Sequence, residues 1–334
     1  MALYNHYQVL PPTTLSAGAE TIRVGLGVQP LSALIISMRA QLVAANTDDN
    51  LPNIFAKLDR VTVDYRGTRL VDGRAIDLYR VYRTITRAKS RFINPGVAAG
   101  AVRELTWFIP FGMGLYDRRR ALPAVNKGDL TLTFATVSNP TGYQNYTISV
   151  EAIELPDIKP TEFLRVTTQT FTPTTTGVYD IDLPRSLPLA GIGVVNAGSQ
   201  PFSGNTIADV EILANNAEQY VSFATFETLR AIASALGGNP YDLETHRHTE
   251  NTAGAYTQNA ATLTNRTVDS PLNDFGFIPF ATQTIGDEFL FPTADLNNLV
   301  LRVTVGAPGT ARIIPVEIGS EAWLFRRSQT PIPR

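Results

Sequence analysis

The chain has 334 residues, 44% of them hydrophobic, enough for two domains with packed cores. Its formal net charge of −2 gives no overall electrostatic pull towards nucleic acid or an anionic membrane, so no specific nucleic-acid partner is expected. It has no cysteine, which excludes disulfides, thiolate metal sites and thiol catalysis.

Charged residues make up 17% of the chain, below the ~25% usual for soluble proteins, as expected where surface is covered in an assembly. Met1 to His6 shows no basic segment followed by an apolar run, and no stretch approaches the ~20 apolar residues of a membrane span. A soluble chain without a secretory signal is expected.

In chain order, Pro11-Pro12 marks the first residues, to about Thr14, as irregular. Ile22, Val24 and Leu26 alternate, as in a half-buried strand, and Ala33 to Ala40 is an apolar run of strand length. Asn46 to Asn50 is a polar loop. Val61, Val63 and Tyr65 alternate before a turn at Arg66-Gly67, and Thr68 to Val71 returns as the second strand of a hairpin. Asp72 is the expected helix cap, followed by Leu78, Val81, Tyr82 and Ile85 on one helical face. A connection from Arg87 to Arg103 leads to a strand from Trp107 to Gly112, and paired strands at Leu130–Val137 and Tyr146–Glu154 close the first half. Leu155 to Pro160, with two prolines, reads as a linker.

The second half repeats this grammar. Val210 and Ile212 alternate, Asn215-Asn216 turns, and Glu218 to Val221 returns. Ser222 is the expected cap; Phe226, Leu229, Ala233 and Leu236 form the helical face, and Gly237-Gly238 ends it. A long Asn- and Thr-rich connection, Gly237 to Asn273, is expected on an exposed surface. Strands are expected at Leu299–Val305, Ala311–Ile318 and Ala322–Phe325, before a basic tail. Phe108-Ile109-Pro110-Phe111 recurs as Phe277-Ile278-Pro279-Phe280, and at the same offset Pro123 falls on Pro292, Leu130 on Leu299 and Leu132 on Leu301. A repeat of half the chain is too long for a solenoid and points to a duplicated domain. The expected fold is all-β, two tandem eight-stranded jelly-roll barrels each with one short flanking helix, divided as residues 1–158 and 159–334.

Two barrels, each with a hairpin and helix before an aromatic-Ile-Pro-Phe strand, resemble the double-jelly-roll major capsid proteins of tailless icosahedral viruses with an internal membrane. Within that group the chain is most similar to the corticovirus-type coat proteins of lipid-containing bacteriophages. The stretches that carry the resemblance are Asp59 to Thr68 with the helix that follows, and Trp107 to Gly112. The resemblance implies a virion protein whose homotrimers form pseudo-hexameric capsomers over an internal membrane. Its implied partners are itself, neighbouring capsomers, penton and minor capsid proteins, and the lipids or membrane proteins of the virion. No catalysis and no cofactor are implied.

The residues were also weighed for chemistry. His246-Arg247-His248 has metal-like spacing, but lacks the acidic residue and later histidine that would complete a site. Glu151, Glu154 and Asp157 are candidate carboxylates for glycoside chemistry, with nothing to set two of them at a catalytic separation. No Gly-x-Ser-x-Gly elbow occurs. Between Lys57 and Arg91 lie ten basic and four acidic residues, read as inter-subunit salt bridges or a solvated face rather than a nucleic-acid patch. Arg118-Arg119-Arg120 is a tighter cluster in a loop. The aromatics Trp107, Phe108, Phe111, Phe275, Phe277 and Phe280 are read as core or barrel–barrel packing. Arg326, Arg327 and Arg334 are the candidate membrane-proximal residues. The alternative reading is a cellular double-β-sandwich carbohydrate-binding or carbohydrate-active protein.

Overall fold

The computed structural model describes residues 4–44, 54–88, 91–93, 99–196, 206–215, 218–238, 249–250, 256–257, 272 and 274–327. The first half contains β1 (Asn5–Thr14), β2 (Thr21–Gly25), β3 (Leu31–Leu42), β4 (Leu58–Tyr65), β5 (Thr68–Gly73), helix α1 (Ala75–Thr86), β6 (Arg91–Ile93), β7 (Val102–Pro110), β8 (Leu130–Thr136) and β9 (Tyr143–Glu154). One sheet runs β1-β9-β3-β7-β6, and facing it is the order β5-β4-β8-β2. The second half contains β10 (Glu162–Thr167), β11 (Gln169–Phe171), β12 (Gly177–Asp182), β13 (Leu189–Asn196), β14 (Ile207–Ala214), β15 (Glu218–Thr225), helix α2 (Phe226–Gly237), two-residue strands β16 (Thr249–Glu250) and β17 (Tyr256–Thr257), β18 (Phe275–Pro279), β19 (Leu299–Val305), β20 (Ala311–Ser320) and helix α3 (Glu321–Arg327). Its sheets run β10-β20-β13-β18 and β12-β19-β14-β15. Strand for strand this is the order of the first half, so each half is an eight-stranded jelly roll with one helix between corresponding strands.

The repeat extends to residue register. Ile109 lies opposite Leu34 in the first barrel, and Ile278 lies opposite Ile192 in the second. Both barrels bulge at the same place: Leu31 faces Glu154 and Ala33 faces Ile153, while Leu189 faces Glu317 and Gly191 faces Val316. Both closing strands thus carry a buried glutamate, Glu154 and Glu317, at matched positions. The two barrels are joined edge to edge. β5 pairs in parallel with β10, Val71 with Val166 and Asp72 with Thr167, so one sheet continues from the first barrel into the second.

Alternation along the strands sets the cores. Leu34, Ile36, Met38 and Ala40 of β3 point into the first barrel with Trp107 and Ile109 of β7. Ile192, Val194, Ile278, Phe280, Leu301 and Val303 fill the second. The first cluster does not stop at its own barrel. It takes in Val195, Phe275, Phe277, Ile314 and Val316 from the outer face of the second, which α1 covers. Each such side chain, fully buried, stabilises the fold by roughly 1.5–3 kcal/mol.

Several expectations are corrected. The first residues are not irregular: β1 is a strand, because Pro11-Pro12 fall on a sheet edge, with register breaks between Gln8 and Leu10 and between Leu10 and Thr13. Neither helix starts where expected. Asp72 still pairs with Thr62 in the hairpin, and the cap position of α1 is Arg74, without a side-chain cap. In the second half β15 runs on through Ser222, and Thr225 is the cap, its side chain accepting from the Thr228 N–H at 3.2 Å. Ala322–Phe325 is helical rather than a strand. Trp323, Leu324 and Phe325 reach partners in different directions, Trp323 facing Phe163 and Phe325 facing Tyr65 while Leu324 is buried, which a helical turn allows. The expected loop at Asn46–Asn50 and most of the Gly237–Asn273 connection lie outside the described residues.

Candidate functional site

Charged side chains converge at the seam between the barrels. At its centre Asp77, in the first turn of α1, has no exposed surface. It accepts hydrogen bonds from Arg312 Nε at 2.5 Å and Arg312 Nη2 at 3.2 Å on β20, and from Arg80 Nη1 at 3.2 Å. Arg80 lies 3.8 Å from Asp274, whose carboxyl is pushed up by burial, partly countered by Arg80. Such a cluster holds only if every charge is paired, because an isolated buried charge costs several kcal/mol. Beneath the helix the sheet carries a glycine, Gly193, on β13. A Cβ at Gly193 would lie 2.9 Å from the Phe275 ring and 3.1 Å from Val81, so glycine is what lets α1 settle onto β13.

A second bonded group crosses the seam at the linker. Arg119 donates to Asp287 at 2.9 Å and to Glu162 at 3.1 Å; Arg120, nearly buried, donates to Glu162 at 2.9 Å and to Asp287 at 2.5 Å. The hydrogen bond from Arg120, with its charge, holds the Asp287 carboxyl below the usual carboxylate range. On β10, Arg165 pairs with Glu317 and donates to the Arg69 carbonyl at 3.0 Å. The two helices meet at their C-termini, where Arg83 and Arg87 of the α1 end donate to the Gly237 and Leu236 carbonyls at 2.8 and 3.2 Å. Cations there complement the negative end of α2.

These contacts settle the basic residues singled out in the sequence. Arg60 pairs with Asp72, Arg66 with Asp129, Arg69 with Asp64 and Asp72, and Arg74 with Asp59 within the chain. Arg60 and Arg74, with Asp59 and Asp72, line a groove of about 520 Å³ beside Thr168, Thr170 and Arg312, and its arginines are neutralised by carboxylates of the same chain. Of the Arg118–Arg120 cluster, Arg119 and Arg120 bind the second barrel. Lys57 is buried and donates to three carbonyls, Ser16 at 2.7 Å, Gly18 at 3.0 Å and Val137 at 2.6 Å.

The remaining candidates separate. Glu151 is on the outer face with His6 at 2.6 Å, while Glu154 is buried and accepts from the Tyr7 hydroxyl at 3.2 Å. Burial beside Glu154 pushes the Tyr7 hydroxyl up to about 12. The two carboxylates thus occupy opposite faces of β9 and do not converge. Among the described residues no three His, Asp or Glu side chains are grouped as metal ligands. His246 and His248 lie outside the described residues, as does Arg334. Arg326 is exposed on α3, and Arg327 ends that helix. Trp107, Phe111 and Phe280 are barrel core; Phe275 and Phe277 are barrel–barrel packing; Phe108 is neither, being half-buried on the outer face of β7. Nothing local in the sequence marks Asp77, Glu162, Asp287 and Arg312 as a set, since Asp77 and Arg312 are 235 positions apart.

No family model matches the chain, and no curated protein sequence does. Solved structures match it over nearly its whole length. The major capsid protein P2 of bacteriophage PM2 is 13% identical, with 95% of this chain and 98% of that one covered and a TM-score of 0.61. The major capsid protein of STIV is 12% identical, with 98% and 100% covered and a TM-score of 0.66. The capsid protein of the virus PBCV-1 is 11% identical, with 95% and 94% covered and a TM-score of 0.59. At these identities the likeness is one of architecture: the chain has the double-jelly-roll fold found in viral major capsid proteins.

Proposed function

We propose that the chain is a viral major capsid protein that acts by assembly, as a homotrimer whose six barrels form a pseudo-hexameric tile of an icosahedral shell over an internal membrane. The observation that carries this reading is the coverage. Capsid proteins match along 95% or more of this chain. Support also comes from where the charges are used. The Asp77–Arg312 and Arg120–Asp287 ion pairs join barrel to barrel, as expected of a tile that must keep its two halves in fixed relation.

In this reading the chain divides at 158/159, its partners are its own copies together with penton and minor capsid proteins, and it has no catalytic role. Arg326, Arg327 and Arg334 are the residues set towards lipid head groups; each contributes about 1 kcal/mol near an anionic surface, so only many copies together bind firmly. Light scattering on the purified protein tests the assembly directly. A mass of three chains that persists on dilution is the expected result. A monomer at every concentration overturns the reading.

A further inference from the structure

The duplication leaves one apolar site filled and its counterpart open. At the end of the first barrel, Ala121, Leu155 and Ile158 form a small buried cluster of their own. Ile158 reaches it by a turn, its N–H donating to the Leu155 carbonyl at 3.2 Å. The second barrel repeats the frame of this cluster. The Leu155 N–H donates to the Pro30 carbonyl at 2.8 Å, and the Ile318 N–H donates to the Pro188 carbonyl at 2.9 Å. Leu122 bridges to Leu31 as Phe291 bridges to Leu189. Leu290 therefore stands for Ala121 and Ile318 for Leu155, and Glu321 falls where Ile158 would be. Glu321 does not fill the site. It is exposed, because the chain enters α3 there instead of turning back. What remains is a groove of about 460 Å³, open to solvent and walled by Pro188, Leu290, Ile318 and Trp323. The Trp323 wall is held in place by the Arg165 guanidinium, 5.5 Å from the ring centre, and by the Phe163 ring at 6.3 Å.

We propose that this groove binds the aliphatic chain of an anionic amphiphile, either a free fatty acid or an anionic phospholipid. The filled counterpart shows what such a floor accepts, since Ile158 covers the equivalent residues with aliphatic carbon. The volume falls within the roughly 300–1,000 Å³ of small-molecule sites, which suits a chain better than a single side chain. Two charged residues also line the groove. Glu162 is already committed, its two oxygens accepting from Arg119 and Arg120 at 3.1 and 2.9 Å. Arg326 is exposed and pairs with no carboxylate among the described residues. A guanidinium at the edge of an apolar groove favours a carboxylate or phosphate head over a neutral one. The site is built from one chain, so it goes beyond the capsomer reading and does not depend on it.

The groove carries its own reporter, since Trp323 lines it while Trp107 has no exposed surface. The full chain is titrated with octanoate, decanoate and laurate below their micelle concentrations, and tryptophan fluorescence is followed. The expected result is a saturable change whose dissociation constant falls by up to about fourfold for each added methylene. Arg326→Gln should weaken laurate about fivefold and leave dodecanol unchanged. Ser186→Phe adds a ring at an exposed position of the lining and should abolish binding with the circular dichroism unchanged. Phosphatidylglycerol vesicles spin-labelled on the acyl chain separate the two sources. Quenching of Trp323 that Ser186→Phe removes assigns the chain to a bilayer lipid; laurate binding without such quenching assigns it to a free amphiphile. No response to laurate, a response independent of chain length, or one that persists in Ser186→Phe overturns the proposal. So does a gain of affinity in a chain cut after Arg327, which would mean that residues 328–334 compete for the groove. Light scattering decides the capsomer reading separately: a monomer that binds laurate overturns that reading alone, and a trimer that does not bind it overturns this one alone.

Discussion

Replacing Asp77 by alanine tests whether the seam is held by its buried charges. The carboxylate has no exposed surface and is shared by Arg312 and Arg80, whose side chains are themselves 12% and 6% exposed. Removing it leaves two largely buried guanidiniums facing each other, Arg80 with Asp274 at 3.8 Å. Breaking a buried pair in this way costs about 3–5 kcal/mol. Asp77 also lies in the first turn of α1, where a carboxylate contributes roughly 0.3–1 kcal/mol through the helix dipole. Against a total stability of about 5–15 kcal/mol this is a large fraction. The assay is urea unfolding followed by tryptophan fluorescence, since Trp107 is in the first core and Trp323 packs on Phe163 of β10. The companion variant, Asp77→Leu with Arg312→Met, should recover only part of the loss, because it removes the charge of Arg312 but leaves Arg80 without Asp77. A loss below about 1 kcal/mol for Asp77→Ala refutes the claim that the seam depends on this carboxylate.

Three further outcomes follow from other contacts. Gly191→Ala places a methyl group 2.4 Å from the Phe277 ring and 2.9 Å from the Ile278 carbonyl oxygen; the overpacking should cost about 1–3 kcal/mol in chemical denaturation, and an unchanged midpoint would show that the ring moves freely. Lys57→Met keeps the apolar stem but leaves three buried carbonyls without their donor, a loss of about 2–4 kcal/mol in the same assay, and a neutral result would mean that water replaces the ammonium. The third is acid sensitivity. Arg120 holds Asp287 below its ordinary value of 3.8, so the folded state binds this proton less readily than the unfolded state. The resulting stability is fully present above pH 3.8 and is lost as pH falls below it. The stability difference between wild type and Asp287→Asn should therefore be constant above that pH and shrink below it; a difference that grows on acidification would contradict the assignment.

The features legible in the sequence are those in which local chemistry and tertiary structure agree. Arg66 and Gly67 turn the first hairpin with positive φ, and α1 and α2 follow their 3.6-residue apolar spacing. The Phe-Ile-Pro-Phe phrase marks equivalent strands because the same alternation points Ile109 and Ile278 inwards. Where agreement fails, a distant partner is responsible. Asp72 looks like a helix cap but is held in β5 by its pairing with Thr62 and by hydrogen bonds from Arg60 and Arg69. Leu189 to Asn196 is interrupted by Gly191 and Gly193, which weaken a strand signal; both are explained by rings and a helix that arrive from elsewhere in the chain. The Arg118–Arg120 cluster carries no sign of Asp287, which is reached only once the second barrel is docked.

Duplication by itself would give two equivalent helices, and their divergence is the strongest physical argument about assembly. α1 has become a charged core element, with Asp77, Arg80 and Arg83 buried and bonded, because its partner is tethered in the same chain and always present. At the corresponding positions α2 carries Thr228 and Ala231, both exposed, and Ser234, half-buried. Had α2 evolved only to face water, charged residues would be the expected choice at those sites, as on most solvent-facing helices. Had it evolved to bury permanent charges, the free chain would carry their desolvation cost before any partner arrived. A small, neutral and weakly apolar face remains soluble alone and loses little when covered, which suits a surface exposed during folding and closed in the finished particle.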